Sequence, residues 1–319
     1  MWPFTRSMTT RTRPKTLSAS RRKRRPELEC LEEKKVLSTL FTAYSYDQTW
    51  AFNDQAGWLH LNEADPIAMK EGTDGTLFAS YNNGPYQGTW RYDYGPNTWT
   101  QEAGAVANVL SASQTDNTLF ASFSGQGVWE FNGIWHQLAS HDATMLAGVS
   151  NNNVYAVFSG DKTGTWSSNG GWHQLNTFVP IAMDASPDGA LYASYYGYPD
   201  GTWQYAGYST LFWDGWTRET ADVATQIAAV SSTYFYMSSA DGTFSVDAGT
   251  YFYQFLGPPD TFGYESFLTL DVATQLGHSG YTMIGSFLDS TTRTFDGSPN
   301  SNARTFTTID SFNPAIQFG

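Results

Sequence analysis

Planar aromatics beside amides and carboxylates are the side chains that hold sugars, whose rings present apolar C–H faces rimmed by hydroxyl groups. Three tyrosines stand in such company. Tyr86 follows Asn82 and Asn83 in NNGPYQ, and Tyr196 and Tyr198 precede Asp200 in YGYPD. The chemistry expected is stacking by Tyr86, Tyr196 and Tyr198, with hydrogen bonds from Asn82, Asn83 and Asp200. The competing reading is that each tyrosine covers the edge of a sheet. A second series is Asp65, Asp142 and Asp222, in ADPIA, HDATM and ADVAT. Each stands just before a short apolar stretch, and a ring of such carboxylates could hold a hard cation such as calcium. The equivalent point before Ile181 is Phe178-Val179-Pro180 and has no acid. Capping a strand end is the alternative role for these three.

Catalysis finds little support. G-x-S-x-G, a P-loop, H-E-x-x-H and G-x-G-x-x-G between strand and helix are all missing. His60, His136 and His173 lie one or two residues from a tryptophan, with no cysteine or carboxylate at zinc spacing. They read as strand-surface residues. The many acids offer too many pairs to single out glycosidase carboxylates. An enzyme on a repeat scaffold usually carries its site on a long insertion. The largest irregularities, AGYSTLFWDG (206–215) and LGPPDTFGYES (256–266), are short. The chain reads as a binder that needs no cofactor unless the aspartates take calcium.

The elements that must position these residues recur along the chain. IAMDAS (181–186), the turn Pro187-Asp188-Gly189, LYASY (191–195) and GTWQY (201–205) form one unit, completed by a stretch of the WHQL type. Short runs rich in Tyr, Phe, Trp and Thr, separated by Gly, Asn and Asp, predict antiparallel strands, and Asp-Gly suits a tight hairpin. The third-strand aromatic falls at Trp50, Trp90, Trp129, Trp166, Trp203, Phe244 and, more weakly, Phe295. The fourth-strand aromatic falls at Trp58, Trp99, Trp135, Trp172, Trp216, Tyr253 and Phe306. Four strands recurring at roughly 36–50 residues are what propeller blades require.

The prediction is an all-β protein, a single seven-bladed β-propeller over 40–319. Six blades is the alternative, because Tyr281 to Phe295 matches the pattern poorly. The first unit opens at a second strand, LFTAYSY (40–46), and AIQFG (315–319) resembles a lone first strand. One blade would then be built from both chain ends, leaving no open sheet edge. In such a ring the second-to-third and fourth-to-first connections share one face, which carries both the tyrosine loops and the aspartates. The tryptophan of each GTW is expected to pack neighbouring blades and to need a partner for its N–H.

The charge is split. The whole chain has a formal charge of −13, yet residues 36–319 hold 6 Lys/Arg against 26 Asp/Glu, or −20. An acidic body repels phosphate backbones, so nucleic acid is not an expected partner. Such a surface suits neutral or cationic partners, and it also serves solubility. Cys30 is the single cysteine, so no internal disulfide forms. No apolar run is long enough for a transmembrane helix, and the basic start lacks the apolar core of a conventional signal peptide.

Two resemblances add expectations. The wording W-x-x-L, small strand, DG, LYAS, G-T-W-x-Y resembles tectonin-type and related lectin-like propeller repeats, most closely over Ile67 to Glu219. That resemblance implies binding of glycans or cell-wall polymers, with protein partners or a structural envelope role as the alternative. Residues 1–38 form a basic segment, expected to be disordered, that includes Arg21-Arg22-Lys23-Arg24-Arg25. Within it RRPELECLEEKKVLST resembles the LEPR-XLL-type motif of planctomycete exported proteins, through Leu28, Glu29, Leu31, Glu32, Val36, Leu37 and Ser38. Cys30 and Lys34-Lys35 depart from that pattern. The motif implies a place outside the cytoplasm, at the cell surface or secreted. A solvated arm or a nucleic-acid or lipid contact is the competing reading of the basic block.

Overall fold

The structure is a computed structural model. It describes residues 39–44, 48–53, 57–113, 115–160, 164–197, 200–206 and 215–239, and beyond these the backbone of the strands alone. The basic segment 1–38 and most of the irregular loops 206–215 and 256–266 lie outside the described residues.

Among the described residues, strands pair antiparallel into seven four-stranded sheets. Six of these blades use four consecutive strands and span 68–103, 107–139, 143–176, 182–220, 224–255 and 267–310; they are numbered 2 to 7. Blade 1 consists of Thr39–Tyr44, Gln48–Asn53 and Gly57–Asn62, with the last strand, Ala315–Phe318, hydrogen-bonded beside Thr39–Tyr44. The first strands of successive blades touch all the way round, and Ala315–Phe318 meets both Phe267–Ala273 and Ala68–Glu71 to complete the circle. The fold is the all-β propeller that the repeats predict. The stretch that fits the pattern least supplies Thr282–Phe287 and Thr292–Asp296 to blade 7.

The second strands explain the LYAS wording. Thr76–Tyr81, Leu119–Phe123 and Leu191–Tyr195 are buried at every residue, because both of their faces meet a neighbouring blade. The core between blades 1 and 2 is typical, with Phe41, Ala43 and Ala51 packing on Leu77, Ala79, Tyr81 and Tyr92. The serine of the motif joins blades through hydrogen bonds. Ser80, Ser122 and Ser194 Oγ accept the backbone N–H of Ala107 (2.8 Å), Ala143 (2.8 Å) and Ala224 (2.7 Å), each in the next blade.

The fourth strands carry a second joint. In blades 1 to 5 the pairing of third with fourth strand slips by one residue, at Leu61, Glu102, Leu138, Leu175 and Glu219. A β-bulge of this kind leaves a backbone group outside the ladder. The next blade answers it: Trp99, Trp135 and Trp172 donate Nε1–H to the carbonyls of Leu61 (3.4 Å), Glu102 (2.9 Å) and Leu138 (2.7 Å).

Buried tyrosines add a third. Tyr81 Oη accepts from Asn62 Nδ2 (2.8 Å) and lies 3.2 Å from Thr49 Oγ1, whose own proton goes to Ala64 O. Tyr195 repeats this with Asn176 (2.8 Å) and Thr165 (3.2 Å). Burial pushes the hydroxyls of Tyr81, Tyr155 and Tyr195 up to about 12 each. An unfolded tyrosine ionises near pH 10, so above that pH the unfolded chain loses its protons first. Stability is therefore expected to hold below pH 10 and to fall above it, by about 1.4 kcal/mol per pH unit for each tyrosine. The three together amount to about 4 kcal/mol by pH 11. Urea unfolding at pH 9, 10 and 11 checks this, and Tyr195→Phe should remove about a third of the slope.

Candidate functional site

The loop face is the expected binding side, and its tyrosines have unlike surroundings. Gly84-Pro85-Tyr86 forms a single 3-10 turn after Asn83. That turn folds the Tyr86 ring back onto Tyr81, Trp90 and Trp99, at centroid distances of 5.9, 5.9 and 6.4 Å. Its carbonyl accepts Trp90 Nε1–H. Tyr86 is thus half-buried and closes its own blade. Tyr196 is 82% exposed. Asn82, Asn83 and Asp200 are exposed as well, while Tyr198 lies outside the described residues. The two loops belong to blades 2 and 5, so blades 3 and 4 stand between them. The structure therefore does not gather the five described residues into one site. It leaves Tyr196 and Asp200 as one exposed pair and Asn82 and Asn83 as another.

Two aliphatic residues are exposed at the same end of blade 5 as Tyr196. Ile181 donates its N–H to Ser194 O (2.8 Å), which places the 179–181 connection at the same end of blade 5 as Tyr196. Val179 and Ile181 are 52% and 42% exposed.

The three aspartates do not build the expected calcium ring. Among the described residues no group of three or more His, Cys, Asp or Glu side chains could hold a metal ion. Asp142 spends both carboxylate oxygens on the backbone N–H groups of Gly125 (2.7 Å) and Gly127 (2.8 Å), pinning the turn of the preceding blade. Asp222 caps its connection through Thr220, and its carbonyl accepts from Thr202 Oγ1 (2.9 Å). Asp65 is exposed. The strand-capping reading accounts for Asp142 and Asp222.

The third-strand tryptophans are structural. Trp90 and Trp129 give their N–H to the loop carbonyls of Tyr86 (2.6 Å) and Gln126 (2.9 Å) and pack on the clusters between blades. His60 lies against Trp50 (4.7 Å), and His173 Nδ1 lies 3.0 Å from Gly171 O. Two bulge positions hold acids where Leu61, Leu138 and Leu175 fill the others. Glu102 pairs with Arg91 (3.2 Å). Burial pushes the Glu219 carboxyl up to about 7.

A cleft of about 680 Å3 opens on the opposite face, beside the first-to-second and third-to-fourth turns. Blade 4 lines it with Asn153, Tyr155, Ser167, Asn169 and His173, and blade 5 with Asp188 to Ala190, Tyr205 and Ala206; Ser232 of blade 6 completes it. Sequence reasoning missed these residues because they come from three repeats and lie in strands and tight turns. The available signal was the Asp188-Gly189 turn. Tyr155 donates to Gly189 O (2.7 Å) across the seam. Burial opposes ionisation of Asp188, but hydrogen bonds from Ser186 and from Ser232 outweigh it and hold the carboxyl below the ordinary range.

No protein-family model matches the chain, and no curated protein matches it. Solved structures do match. One, titled "YCF48 bound to D1 peptide", is 11% identical and covers 86% of this chain and 82% of its own, with a TM-score of 0.45. The propeller assignment rests on the strand pairing and ring contacts of the chain itself.

Proposed function

We propose that this chain is a non-catalytic binding propeller of tectonin-like type, placed at the cell surface or secreted, whose loop face takes a glycan or cell-wall polymer. The supporting observation is the contrast between two tyrosines in equivalent loops. Tyr86 is consumed by packing on Trp90 and Trp99, whereas Tyr196 stands bare beside the exposed Asp200. A large aromatic with so little packing costs hydrophobic free energy that a stacked sugar ring would return. The test is an array of glycans and cell-wall polymers probed with the full chain, followed by Tyr196→Ala. A selective hit competed by free sugar is expected, weakened about tenfold by the substitution, or about 1.4 kcal/mol, with an unchanged melting temperature. A blank array on folded protein, or a hit that ignores Tyr196→Ala, refutes the loop-face carbohydrate site.

A protein partner is the second reading. Val179 and Ile181, exposed at the same end of blade 5 as Tyr196, favour it, because aliphatic side chains suit a protein surface better than a sugar. Export rests on the resemblance of the amino-terminal motif, and fractionation of cells expressing the full chain tests it.

A further inference from the structure

We propose that the loop end of blade 5 docks a protein segment that carries apolar side chains and a net positive charge. This site rests on the second reading of the loop face, a protein partner; the new elements are the row of side chains that receives the partner and the partner's charge. Among the described residues six large hydrophobic side chains are exposed. Leu59, Ile67 and Ile134 fall on three different blades, whereas Val179, Ile181 and Tyr196 share one end of one blade. Scattered apolar side chains are ordinary on a protein surface, but a group of them marks a contact site.

The connection into blade 5 builds the row. Burial alternates along it: the half-buried Phe178 ring packs on Tyr195 at 6.3 Å, Val179 is exposed, Pro180 is buried and Ile181 is exposed. That alternation is the pattern of extended chain, which Pro180 favours at Val179, and it puts Val179 and Ile181 on one side. Two hydrogen bonds fix the backbone. Asn176 Oδ1 accepts Phe178 N–H (2.9 Å), and Ser194 O accepts Ile181 N–H (2.8 Å). A row held this way loses little freedom when a partner covers it. Blade 2 lacks the same row. Ile67 bonds to Ser80 O (2.8 Å) as Ile181 does to Ser194, but Asp65-Pro66 precede it and Tyr86 is packed on Trp90.

The surrounding face sets the partner's charge. The described residues of the second-to-third and fourth-to-first connections include Glu63, Asp65, Asp142, Asp200 and Asp222 and no Lys or Arg. Asp200 is exposed in the loop that carries Tyr196. Residues 36–319 as a whole carry −20. Such a face draws a basic segment and repels an acidic one, and salt screens the effect.

The experiment selects phage-displayed random peptides of roughly 12 residues on the full chain and measures their affinity by fluorescence anisotropy. The selected peptides are expected to be rich in Lys or Arg and in Leu, Ile or Phe. Their affinity should fall severalfold as salt rises from about 0.05 to about 0.5 M. Val179→Ser and Ile181→Ser should each weaken them about threefold, and together about tenfold. Val179 is the more exposed of the two, so Val179→Ser alone tests the row with the melting temperature unchanged. Ile67→Ser in blade 2 should leave binding intact. Two results overturn the proposal, and they differ. Peptides that need Val179 and Ile181 but carry no net positive charge and ignore salt refute the charge and leave a protein partner standing. An empty selection, or peptides that ignore the double variant, refutes the row and with it the protein-partner reading of the loop face.

Discussion

Replacing Gly127 with alanine is expected to lower the stability of the ring by about 2–5 kcal/mol. Gly127 opens the third strand of blade 3 with a φ of +82°. A Cβ there would lie 2.1 Å from the carbonyl oxygen of Ala139, on the fourth strand. That atom is backbone, so no rotamer change relieves the contact. A left-handed conformation alone costs a residue with a Cβ about 1–2 kcal/mol, and forced movement of the strand adds roughly 1–3 kcal/mol. Gly88, Gly164 and Gly201 hold the same place in blades 2, 4 and 5, each with a Cβ position within 2.5 Å of a fourth-strand carbonyl. The glycine of the repeated GTW is therefore required by two constraints at once. Gly75 provides the control, with a φ of +78° and nothing within 4 Å of its Cβ position. Gly75→Ala should cost only the conformational part, about 1–2 kcal/mol. Equal losses for the two variants in urea unfolding would show that the backbone contact contributes nothing.

The ring was legible in the sequence because its period is marked by residues that packing demands. The fourth-strand tryptophans and the serine of LYAS recur because they join neighbouring blades in the same way, the indole at Trp99, Trp135 and Trp172 and the serine at Ser80, Ser122 and Ser194. The tyrosine seams were legible in principle too. Tyr81 and Tyr195 go with Asn62 and Asn176, whereas Phe123 and Phe158, in the same second-strand place, go with Ala103 and Ala139. A hydroxyl is present where an amide can reach it and missing where an alanine cannot.

The bulges were not legible, since the extra residue is leucine in one blade and glutamate in another. A bulge is fixed by backbone register, which no single side chain announces. The candidate site was read less well for a related reason. Tyr86 and Tyr196 occupy similar loops, and a single turn at Gly84-Pro85 decides that one is packed and the other bare. Asp142 looked like its companions in sequence, but its two oxygens are taken by Gly125 and Gly127. The cleft draws on residues from 153 to 232, a combination that no repeat alignment brings together.

The bulge and the indole that caps it make Trp172 the other position of large effect. Trp172 packs on Phe158 of its own blade at 4.9 Å and on the cluster that holds Phe120 and Val128 of blade 3, and it gives its N–H to Leu138 O at 2.7 Å, so it serves packing and hydrogen bonding between blades 3 and 4. Trp172→Ala is expected to cost about 3–5 kcal/mol, nearer the lower end because the ring is only half-buried. Trp172→Phe keeps most of the packing and strands the carbonyl, for about 1–3 kcal/mol. The same Trp→Phe change can be made at Trp135 and Trp99, whose bonds are 2.9 and 3.4 Å. If the capped bulge carbonyl holds blades together, the losses should follow bond length, largest at Trp172 and smallest at Trp99. Thermal unfolding of the three variants decides the matter. A flat series would mean that the indoles act through packing alone and that water serves the bulge carbonyls equally well.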